Sequence, residues 1–450
     1  MRTTLINIII FFKITKRKIM ELFRYDSKIL SFMIFLVYIT CYMVAKLTKG
    51  QFKALIFAGR IFRHINSEFA RNFAQSKLTS TIKRYGVQKV GEEMRKIVKN
   101  NINNEIKNRL KTSVIKGEIP LFDKRLIILS PFVNGKKGVI LIKYTEYFKY
   151  FIDIFNVKKI SKNYVLIIEP SWSGYFDEDI LCLLFKDIPI IIEALEPIDS
   201  NFIESLKANF YPVDIGSNCW VNPNVFFPIP KAKKKYDVIM VGLWADVKRH
   251  YHLFEALSKC RRKLKVALVG QPWPKTLDEI KAEARYYGVI DQIEFFENIS
   301  QSQLNILFNQ SKCALLLSKK EGFNKSIVEA MYANTPAFIL EGFNYGYRYP
   351  FINEKTGGFI KPNELTNFLE NLDKILIGFE PAKWIKKYVS PEISTEKFIE
   401  VLREIEMKEK IIINKNLAVK VNSPDLDYLE PEIWEKMKSY YKQLKCYLRC

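Results

Sequence analysis

Residues 313–331 read CALLLSKKEGFNKSIVEAM, and the order of their parts predicts a strand, a turn and a helix. Cys313 to Leu317 is a short apolar run that ends in polar residues, as a buried strand does. Glu321 and Gly322 follow as a turn. We therefore expect Glu321 to lie at the carboxyl end of a buried strand.

The helix after this turn carries a second carboxylate. Asn324 or Ser326 can cap its amino end, and its apolar residues recur at helical spacing. Glu329 then lies about one turn inside the helix, so a loop carboxylate and a helix carboxylate face one crevice. The alternative is that both glutamates are ordinary solvated charges, because a spacing by itself is weak evidence.

This pair of carboxylates beside a helix start indicates a ligand class. Exposed amides and the positive end of the helix dipole favour a phosphate, while carboxylates accept hydrogen bonds from the paired hydroxyls of a sugar or a ribose. Phosphate together with hydroxyls describes a nucleotide sugar. The expected donor contacts in this stretch come from Glu321, Gly322, Phe323, Asn324, Lys325, Ser326 and Glu329.

The segments before this stretch repeat a strand followed by a helix. Tyr236–Gly242, Leu264–Gly270 and Ile293–Phe296 are apolar, strand-like runs, and helical patterns separate them. Alternating strands and helices predict a parallel sheet. Ligands bind beyond the carboxyl ends of such strands, where Lys248 and Glu321 also fall.

Pro212 to Leu376 resembles the donor domain of retaining GT-B glycosyltransferases, of the glycogen-synthase and sucrose-synthase type. The residues that carry the resemblance are Val241-Gly242 with Lys248, Val269-Gly270, Glu321-Gly322-Phe323 through Glu329-Ala330-Met331, Thr335-Pro336, and Asn353-Glu354-Lys355-Thr356-Gly357.

The resemblance implies roles for three residues. Glu321 would contact the donor sugar, Glu329 would hold the ribose, and Lys248 would neutralise the departing diphosphate, where fixed cations favour the transition state. In this family, retention is attributed to same-face attack in which the leaving phosphate takes the acceptor proton. We therefore expect no covalent glycosyl-enzyme.

Two positions depart from the family pattern. Gly242-Leu243-Trp244 stands where the family has Gly-Arg-Leu, and Asn324 stands where it commonly has glycine. Arg249 can substitute for the absent arginine; the alternative is that Lys248 and Arg249 are surface charges at a helix start. His250 and His252 lack the spacing of metal ligands, so we expect structural histidines, no metal site and no cofactor.

The preceding region reads as a second α/β domain. Arg125–Leu129 and Val139–Ile142 are strand-like and flank a Gly-Lys-Lys-Gly loop. The resemblance makes Gly135 and Gly138 candidates for closing over the donor diphosphate, and a plain hairpin turn is the equal alternative.

A further aromatic loop follows the strand-like run Tyr164–Ile168. We expect Trp172 and Tyr175 to stack on an acceptor sugar; the alternative is that the loop plugs the core, because aromatic side chains bury large areas. Glu169 and Asp177 are weaker acid–base candidates.

The predicted fold is α/β of the GT-B type, with two Rossmann-like domains whose parallel sheets face a cleft, and an amino-terminal helical extension. The expected segments are a membrane-associating segment 1–57, a basic helical region 58–120, an acceptor domain 121–228, a donor domain 229–385, and carboxyl-terminal helices with a tail, 386–450.

Positive charge is concentrated in the extension. Residues 1–120 hold 24 Lys and Arg against 7 Asp and Glu, net +17, and the remainder holds 47 against 41, net +6. An anionic surface is therefore expected there, and the apolar run Ile29–Ala45 favours lipid, as an uncleaved anchor or an in-plane helix, over nucleic acid. The alternative is a buried core helix.

Seven cysteines show no metal or redox spacing and an odd count, which indicates a reducing compartment. We expect a retaining glycosyltransferase on the cytoplasmic face of the membrane, transferring a sugar from a nucleotide-sugar donor to a lipid-linked or surface polysaccharide acceptor that the sequence does not identify. The rivals are a non-catalytic nucleotide-sugar or glycan-binding protein on this scaffold, and a nucleic-acid-binding protein, for which no reading motif is present.

Overall fold

A computed structural model describes residues 8–12, 14–16, 19, 28–65, 68–117, 121–171, 175–194, 197–318, 321–341, 351–422 and 427–449. The chain forms two compact units. Unit A comprises residues 23–220 and 394–450, and unit B comprises residues 1–22 and 221–393.

Unit A is built on a sheet in which the strands follow one another in chain order. The strand β1 runs antiparallel to β2, and β2 to β5 are parallel. Most of these strands are buried along their whole length, as expected for a sheet covered on both faces. The strands are β1 Leu126–Ser130, β2 Gly138–Lys143, β3 Tyr164–Glu169, β4 Ile190–Glu193 and β5 Phe210–Val213.

Helices make up the amino-terminal part of unit A, and further helices lie between its strands in the chain. Two helix glycines come very close to the rest of the unit: a Cβ added to Gly59 would lie 2.9 Å from the Phe176 carbonyl oxygen, and one added to Gly91 would lie 1.9 Å from that of Leu184. The predicted helical extension is therefore confirmed, and it packs as part of unit A. The helices are α1 Lys28–Thr48, α2 Gln51–His64, α3 Glu68–Tyr85, α4 Val87–Lys99, α5 Asn104–Lys116, α6 Thr145–Ile154, α7 Val157–Ile160, α8 Glu178–Leu181 and α9 Pro197–Ser205.

Unit B contains a fully parallel sheet of six strands among the described residues. Its order is β11-β10-β9-β6-β7-β8, so the chain builds outward from β6 to one side and then returns to the other through β9. The predicted parallel sheet is confirmed. The strands are β6 Tyr236–Val241, β7 Val266–Gly270, β8 Ile293–Glu297, β9 Ser311–Leu316, β10 Ala337–Leu340 and β11 Gly357–Ile360.

The helices of unit B begin at well-defined caps. Thr276 and Glu279 form a capping box, as do Ser300 and Gln303, and each pair satisfies two backbone amides that a helix start leaves free. Short 3₁₀ turns, including Asp246–Lys248, join the elements. The helices are α10 His250–Lys259, α11 Leu277–Tyr286, α12 Gln301–Asn309, α13 Lys325–Tyr332, α14 Leu365–Glu370, α15 Leu372–Ile375 and α16 Pro381–Tyr388.

The last part of the chain returns to unit A. The division between the units falls within α17, Pro391–Glu409, and α18 covers Ile433–Gln443. Beyond α17 the tail lies along β1, where the Ala418 amide donates to the Leu129 carbonyl at 2.7 Å. Covering an edge strand removes a row of unpaired backbone groups that would otherwise invite aggregation.

No helix within the described ranges combines the length and the apolar character that crossing a membrane requires. The cysteines described there are all free thiols: Cys41, Cys182, Cys219, Cys260, Cys313 and Cys446.

Candidate functional site

The predicted site residues of unit B gather at the carboxyl edge of its sheet. Gly242 directly follows β6, Gly270 ends β7, and Glu321 lies in the turn between β9 and α13. The parallel pairing of β6 with both β7 and β9 brings these three strand ends side by side. The strand–turn–helix prediction for residues 313–331 is thus confirmed as a local structure.

An ion pair joins two of the predicted residues across this edge. Lys248 Nζ lies 2.5 Å from Glu321 Oε1, and both side chains are mostly buried. The lysine stem passes over Gly242, where a Cβ would lie 3.1 Å from Lys248 Cδ. Glycine at 242 therefore leaves the room that Lys248 needs to reach the edge.

Trp244 ends the Gly242-Leu243-Trp244 turn, in which Leu243 stands where the resemblance places an arginine. Its ring is fully buried, and Nε1 donates to Glu297 Oε2 at 2.7 Å, at the carboxyl end of β8. A Cβ at Gly270 would lie 2.5 Å from this ring, so the glycine is needed for the tryptophan to fit. Residue 244 is a packing residue that supplies no cation.

Arg249 and the two histidines lie just beyond. Arg249 is 2 % exposed and adopts φ 57°, at the point where the 3₁₀ turn passes into α10, so it is not an exposed surface charge. His250 is buried with its ring centroid 5.4 Å from that of Trp244, and His252 stacks on Tyr251 at 4.5 Å. Both histidine rings pack against aromatic neighbours.

The amino end of α13 is capped by Asn324, one of the two residues that the sequence allowed. Its side-chain oxygen accepts from the Ile327 amide at 3.3 Å, and the Ser326 hydroxyl donates to the same oxygen at 2.7 Å. Gly322, Phe323, Lys325 and Ser326 are all half-buried around this start. The cap orients the first turn of α13 toward the edge that also holds Glu321.

Glu329 lies one turn further along α13 and is half-buried. Burial raises the pKa of its carboxyl to about 7, and Lys325, one turn earlier, partly opposes this shift. Its protonation therefore changes near neutral pH.

The remaining residues of the resemblance hold the sheet together. The Thr335 hydroxyl donates to the Phe308 carbonyl at 2.7 Å, and the Asn353 amide donates to Thr356 Oγ1 at 2.9 Å. A Cβ at Gly357 would lie 1.7 Å from the Ala337 carbonyl oxygen, where β11 pairs with β10. Their part in this unit is to position β10 and β11.

In unit A, the loop with Gly135 and Gly138 is a β-hairpin turn. The Val133 and Lys136 backbones exchange two hydrogen bonds, and Asn134 and Gly135 both have positive φ, as an Asn-Gly hairpin requires. This loop precedes β2, so it lies at the amino edge of the parallel strands, opposite the edge where ligands bind. The loop is therefore a plain hairpin turn, and Gly135 and Gly138 do not lie at the carboxyl edge of the parallel strands.

The aromatic loop is only partly within the described residues. Trp172 lies outside them. Tyr175 is buried: its hydroxyl accepts from Gln75 Nε2 at 2.8 Å, and its ring packs between Phe62 and Phe202 at centroid distances of 4.9 and 5.5 Å. Tyr175 thus has no exposed face for a sugar, and the core alternative describes it.

The sequence reasoning missed a buried charged cluster at the carboxyl edge of the unit A sheet. Lys143, Glu169 and Glu193 end β2, β3 and β4, and the tail supplies Lys420, whose Nζ lies 2.7 Å from Glu169 Oε2. Glu193 Oε1 accepts from Trp220 Nε1 at 3.1 Å. The signal was present, since each of these apolar strands ends in a charged residue.

Burial perturbs the titration of this cluster. Desolvation lowers the pKa of Lys143 to about 8, with Lys420 adding to the effect. Desolvation, followed by repulsion from Glu169, holds the pKa of Glu193 well above its usual range. Glu169 forms an ion pair with Lys420. Asp177, the other weak acid–base candidate, forms an ion pair with Arg63. Both carboxylates therefore take part in ion pairs within the protein.

No group of three or more His, Cys, Asp or Glu side chains in the described part of the chain could hold a metal ion. The absence of a metal requirement remains a prediction.

Comparison with known families gives the clearest assignment for unit B. Residues 221–390 match the family described as "Glycosyl transferases group 1". The chain carries a glycosyltransferase domain. The match covers less than half of the chain and nearly coincides with the residues 221–393 of unit B, which were delimited by compactness alone.

Solved structures with similar coordinates are distant relatives at most. Sucrose-phosphate synthase from Thermosynechococcus elongatus is 15 % identical, with 59 % of this chain and 79 % of that chain covered and a TM-score of 0.45. The carboxyl-terminal domain of a glycosyl transferase group 1 family protein from Francisella tularensis is 18 % identical, with 38 % and 98 % covered and a TM-score of 0.33.

The S. aureus TarM G117R mutant, in complex with Fondaparinux, alpha-GlcNAc-glycerol and UDP, is 15 % identical, with 58 % of this chain and 55 % of that chain covered and a TM-score of 0.46. No curated protein matches this sequence.

Proposed function

We propose that this protein is a retaining glycosyltransferase that moves a sugar from a nucleotide-sugar donor to a lipid-linked or surface polysaccharide acceptor. The observation that carries the proposal is the Lys248–Glu321 pair, which sets a cation and a carboxylate side by side at the carboxyl edge of the glycosyltransferase domain. The lysine suits the diphosphate and the carboxylate suits a sugar hydroxyl, and these two groups lie on either side of the bond between the anomeric carbon and the phosphate oxygen that breaks in the reaction.

The departing diphosphate is assigned to Lys248 and the first turn of α13. Negative charge grows on the phosphate oxygens as the glycosidic bond breaks, and fixed donors there stabilise the transition state more than the ground state. The helix start adds backbone amides and the positive end of the dipole. Arg249 is the second candidate cation, since Leu243, at the position of the family arginine, supplies none.

The hydroxyl groups of the donor are assigned to the two carboxylates. Glu321 accepts hydrogen bonds from the sugar hydroxyls, and these replace part of its ion pair with Lys248 when the donor binds. Glu329 accepts from the ribose, for which it must be ionised. Neither carboxylate is given the role of a nucleophile, so the acceptor attacks from the face that the diphosphate leaves, and configuration is retained without a covalent intermediate or a metal.

The setting of the reaction follows from the charge of the amino-terminal region. With a net charge of +17, the segment 1–120 is suited to an anionic membrane surface, where a lipid-linked acceptor would be presented. A nucleotide-sugar donor places the protein on the cytoplasmic side of that membrane.

A donor screen tests this proposal. The full chain is heated with UDP-, GDP-, ADP- and CMP-sugars, and the midpoint of thermal unfolding is compared with that of the Glu329→Ala variant. We expect one nucleotide to raise the midpoint, and Glu329→Ala to reduce the rise. No rise with any donor would overturn the proposed donor site.

A non-catalytic donor-binding protein is the second candidate, favoured by Leu243 in place of the family arginine. The Glu321→Gln variant separates the two, because it removes charge at the sugar while leaving the phosphate contacts. Donor hydrolysis or transfer by the wild type that Glu321→Gln abolishes supports the enzyme; donor binding without turnover in either protein supports the binding protein.

A further inference from the structure

The helix α1, Lys28–Thr48, has two faces of different character. One face packs within unit A: Phe35, Tyr42 and Ala45 are buried, with Phe35 stacked edge-on to Phe73 at 5.6 Å and the Tyr42 hydroxyl accepting from Gln51 Nε2 at 3.3 Å. About half of the helix circumference is therefore occupied by protein.

The opposite face of α1 is apolar and exposed. Its side chains recur at the three- and four-residue spacing of one helix face, and their exposed fractions range from 45 % at Leu36 to 83 % at Leu47. Single exposed apolar residues are ordinary, but a contiguous row marks an interaction surface. We call this row the α1 stripe: Phe32, Met33, Leu36, Val37, Met43, Val44 and Leu47.

The polar groups within the stripe are already satisfied. The Thr40 hydroxyl donates to the Leu36 carbonyl at 2.8 Å, and the Thr48 hydroxyl donates to the Val44 carbonyl at 2.7 Å. Covering these hydroxyls with an apolar phase leaves no unbonded donor behind, so the whole face can be removed from water at little polar cost.

The charges on α1 and α2 have one sign. Residues 28–65 contain no aspartate or glutamate, whereas Lys46, Lys49, Lys53 and Arg60 are exposed there. Long basic side chains beside an apolar helix face extend to lipid headgroups while their stems remain against hydrocarbon. A protein partner would need an apolar groove bordered by acidic side chains. An anionic bilayer presents hydrocarbon beside negatively charged headgroups over its whole surface.

We propose that the α1 stripe lies in the plane of an anionic lipid bilayer, with Lys46 and Lys49 at the headgroups. This deepens the membrane association of the proposed function by naming the surface and its orientation. The helix lies on the bilayer and does not span it, because its other face is held by Phe73 and its neighbours in unit A. The inference does not depend on catalysis.

Vesicle sedimentation tests the stripe. The full chain is mixed with sonicated vesicles of phosphatidylcholine, either alone or with one third phosphatidylglycerol, and the bound fraction is measured. The Leu36→Glu/Val37→Glu double variant should bind the anionic vesicles at least about tenfold more weakly, because apolar contact is replaced by charge in the headgroup layer. The matched control is Met407→Glu on α17, where the native side chain is 76 % exposed, and it should bind like the wild type.

The charge contribution is measured separately. Each lysine near an anionic surface strengthens binding about fivefold, so the Lys46→Ala/Lys49→Ala variant should bind about 25-fold more weakly at low salt. The wild type should also release from the vesicles as salt is raised. Equal binding to neutral and anionic vesicles would overturn the proposal, as would wild-type binding by the Leu36→Glu/Val37→Glu variant.

Two further outcomes are distinguished by the same proteins. If the stripe instead meets a second copy of the chain, sedimentation velocity without lipid will show a dimer that Leu36→Glu/Val37→Glu dissociates, and the lipid proposal is then wrong. The thermal shift with nucleotide sugars should be unchanged in both stripe variants, because unit B is intact. Loss of vesicle binding with donor binding retained therefore concerns the stripe, whereas loss of donor binding in the wild type concerns the proposed function.

Discussion

Glu329 combines a half-buried carboxyl with a position one turn inside α13, beside the edge that holds Glu321. Burial raises its pKa to about 7, so the group changes charge near neutral pH. A carboxylate is acceptor-only and can receive two hydroxyls, whereas a carboxylic acid keeps one oxygen as a donor. Protonation should therefore weaken ribose binding.

We expect the affinity for the donor to rise about tenfold between pH 6 and pH 8, because the ionised fraction of a group with a pKa of about 7 rises by about that factor. Isothermal titration with the nucleotide found in the donor screen measures it. Glu329→Gln should bind weakly with no pH dependence; an unchanged pH dependence in this variant would assign the titration to another group.

Lys248 is expected to act on the rate more than on binding. Lys248→Ala should lower kcat by roughly 10²–10³-fold, the usual loss when one charged donor is removed from a developing anion. Lys259→Ala is the control, since Lys259 forms an exposed pair with Glu255 at 3.0 Å on α10 of the same unit. Comparable kcat values for the two variants would exclude Lys248 from the reaction.

Among the elements, the close approach of the carboxyl ends of β6 and β7 requires glycine at position 270. A Cβ at Gly270 would meet both the Trp244 ring at 2.5 Å and the Gly242 carbonyl oxygen at 2.6 Å. The carboxyl ends of the two strands can therefore approach each other only with glycine at this position.

Gly270→Ala should destabilise the protein by about 1–3 kcal/mol, the usual cost of overpacking. Because the clash with Trp244 involves the far end of its ring, adding Trp244→Phe should cost less in the Gly270→Ala background than in the wild type. Urea unfolding followed by circular dichroism measures the four proteins. Strictly additive losses would show that the two residues do not interact.

The start of α13 depends on one side chain. Asn324→Ala should cost about 1 kcal/mol and weaken donor binding, because the cap holds the first turn toward the phosphate. Asn324→Asp should retain the cap. Asn103→Ala is the matched control: Asn103 caps α5 in unit A through the Glu105 and Ile106 amides, so it should lower stability without affecting donor affinity. Equal effects of both alanines on donor affinity would argue against a role of α13 in binding.

At the scale of the whole molecule, residues that follow unit B in the chain pack within unit A. The tail pairs with β1, and Lys420 enters the buried carboxyl edge of the unit A sheet, with its ammonium 4.5 Å from the centroid of the Trp220 ring. The hydroxyl oxygens of Tyr428 and Tyr441 lie 2.8 Å apart, and the Tyr428 hydroxyl donates to the Ile128 carbonyl. Unit A is therefore complete only after residues 394–449 have been added.

Lys420→Met should cost about 3–5 kcal/mol, since it leaves Glu169 buried without its partner. The loss should appear in unit A: hydrogen exchange of β2 and β3 should accelerate, while that of β6 and β7 and the affinity for the donor stay unchanged. Lys438→Met, which breaks an exposed pair with Glu435, is the control and should have little effect. Equal acceleration in both units would show that they unfold together.

Much of the structure of unit B could be predicted from the sequence, because residues close together in the chain determine its strands and helices. Apolar runs such as Val266–Gly270 and the capped start of α13 follow from residues within about ten positions of one another, and the alternation of strands and helices then requires a parallel sheet with Glu321 at its carboxyl edge. A local pattern of this kind does not distinguish the two edges of a sheet. Gly135 and Gly138 obey hairpin chemistry, and only the antiparallel pairing of β1 with β2 puts them opposite the ligand edge.

The sequence by itself therefore determined the α/β elements, the parallel sheet of the glycosyltransferase domain and the positive charge of residues 1–120. Only the tertiary structure decided that Tyr175 is a core residue, that Lys248 meets Glu321, and that Lys420 neutralises Glu169. The physical reason is that these contacts join residues far apart in the chain, whose spacing leaves no periodic trace. Which face of α1 is exposed was likewise decided by the packing of α2 and α3 against it, because the helix is apolar on both sides.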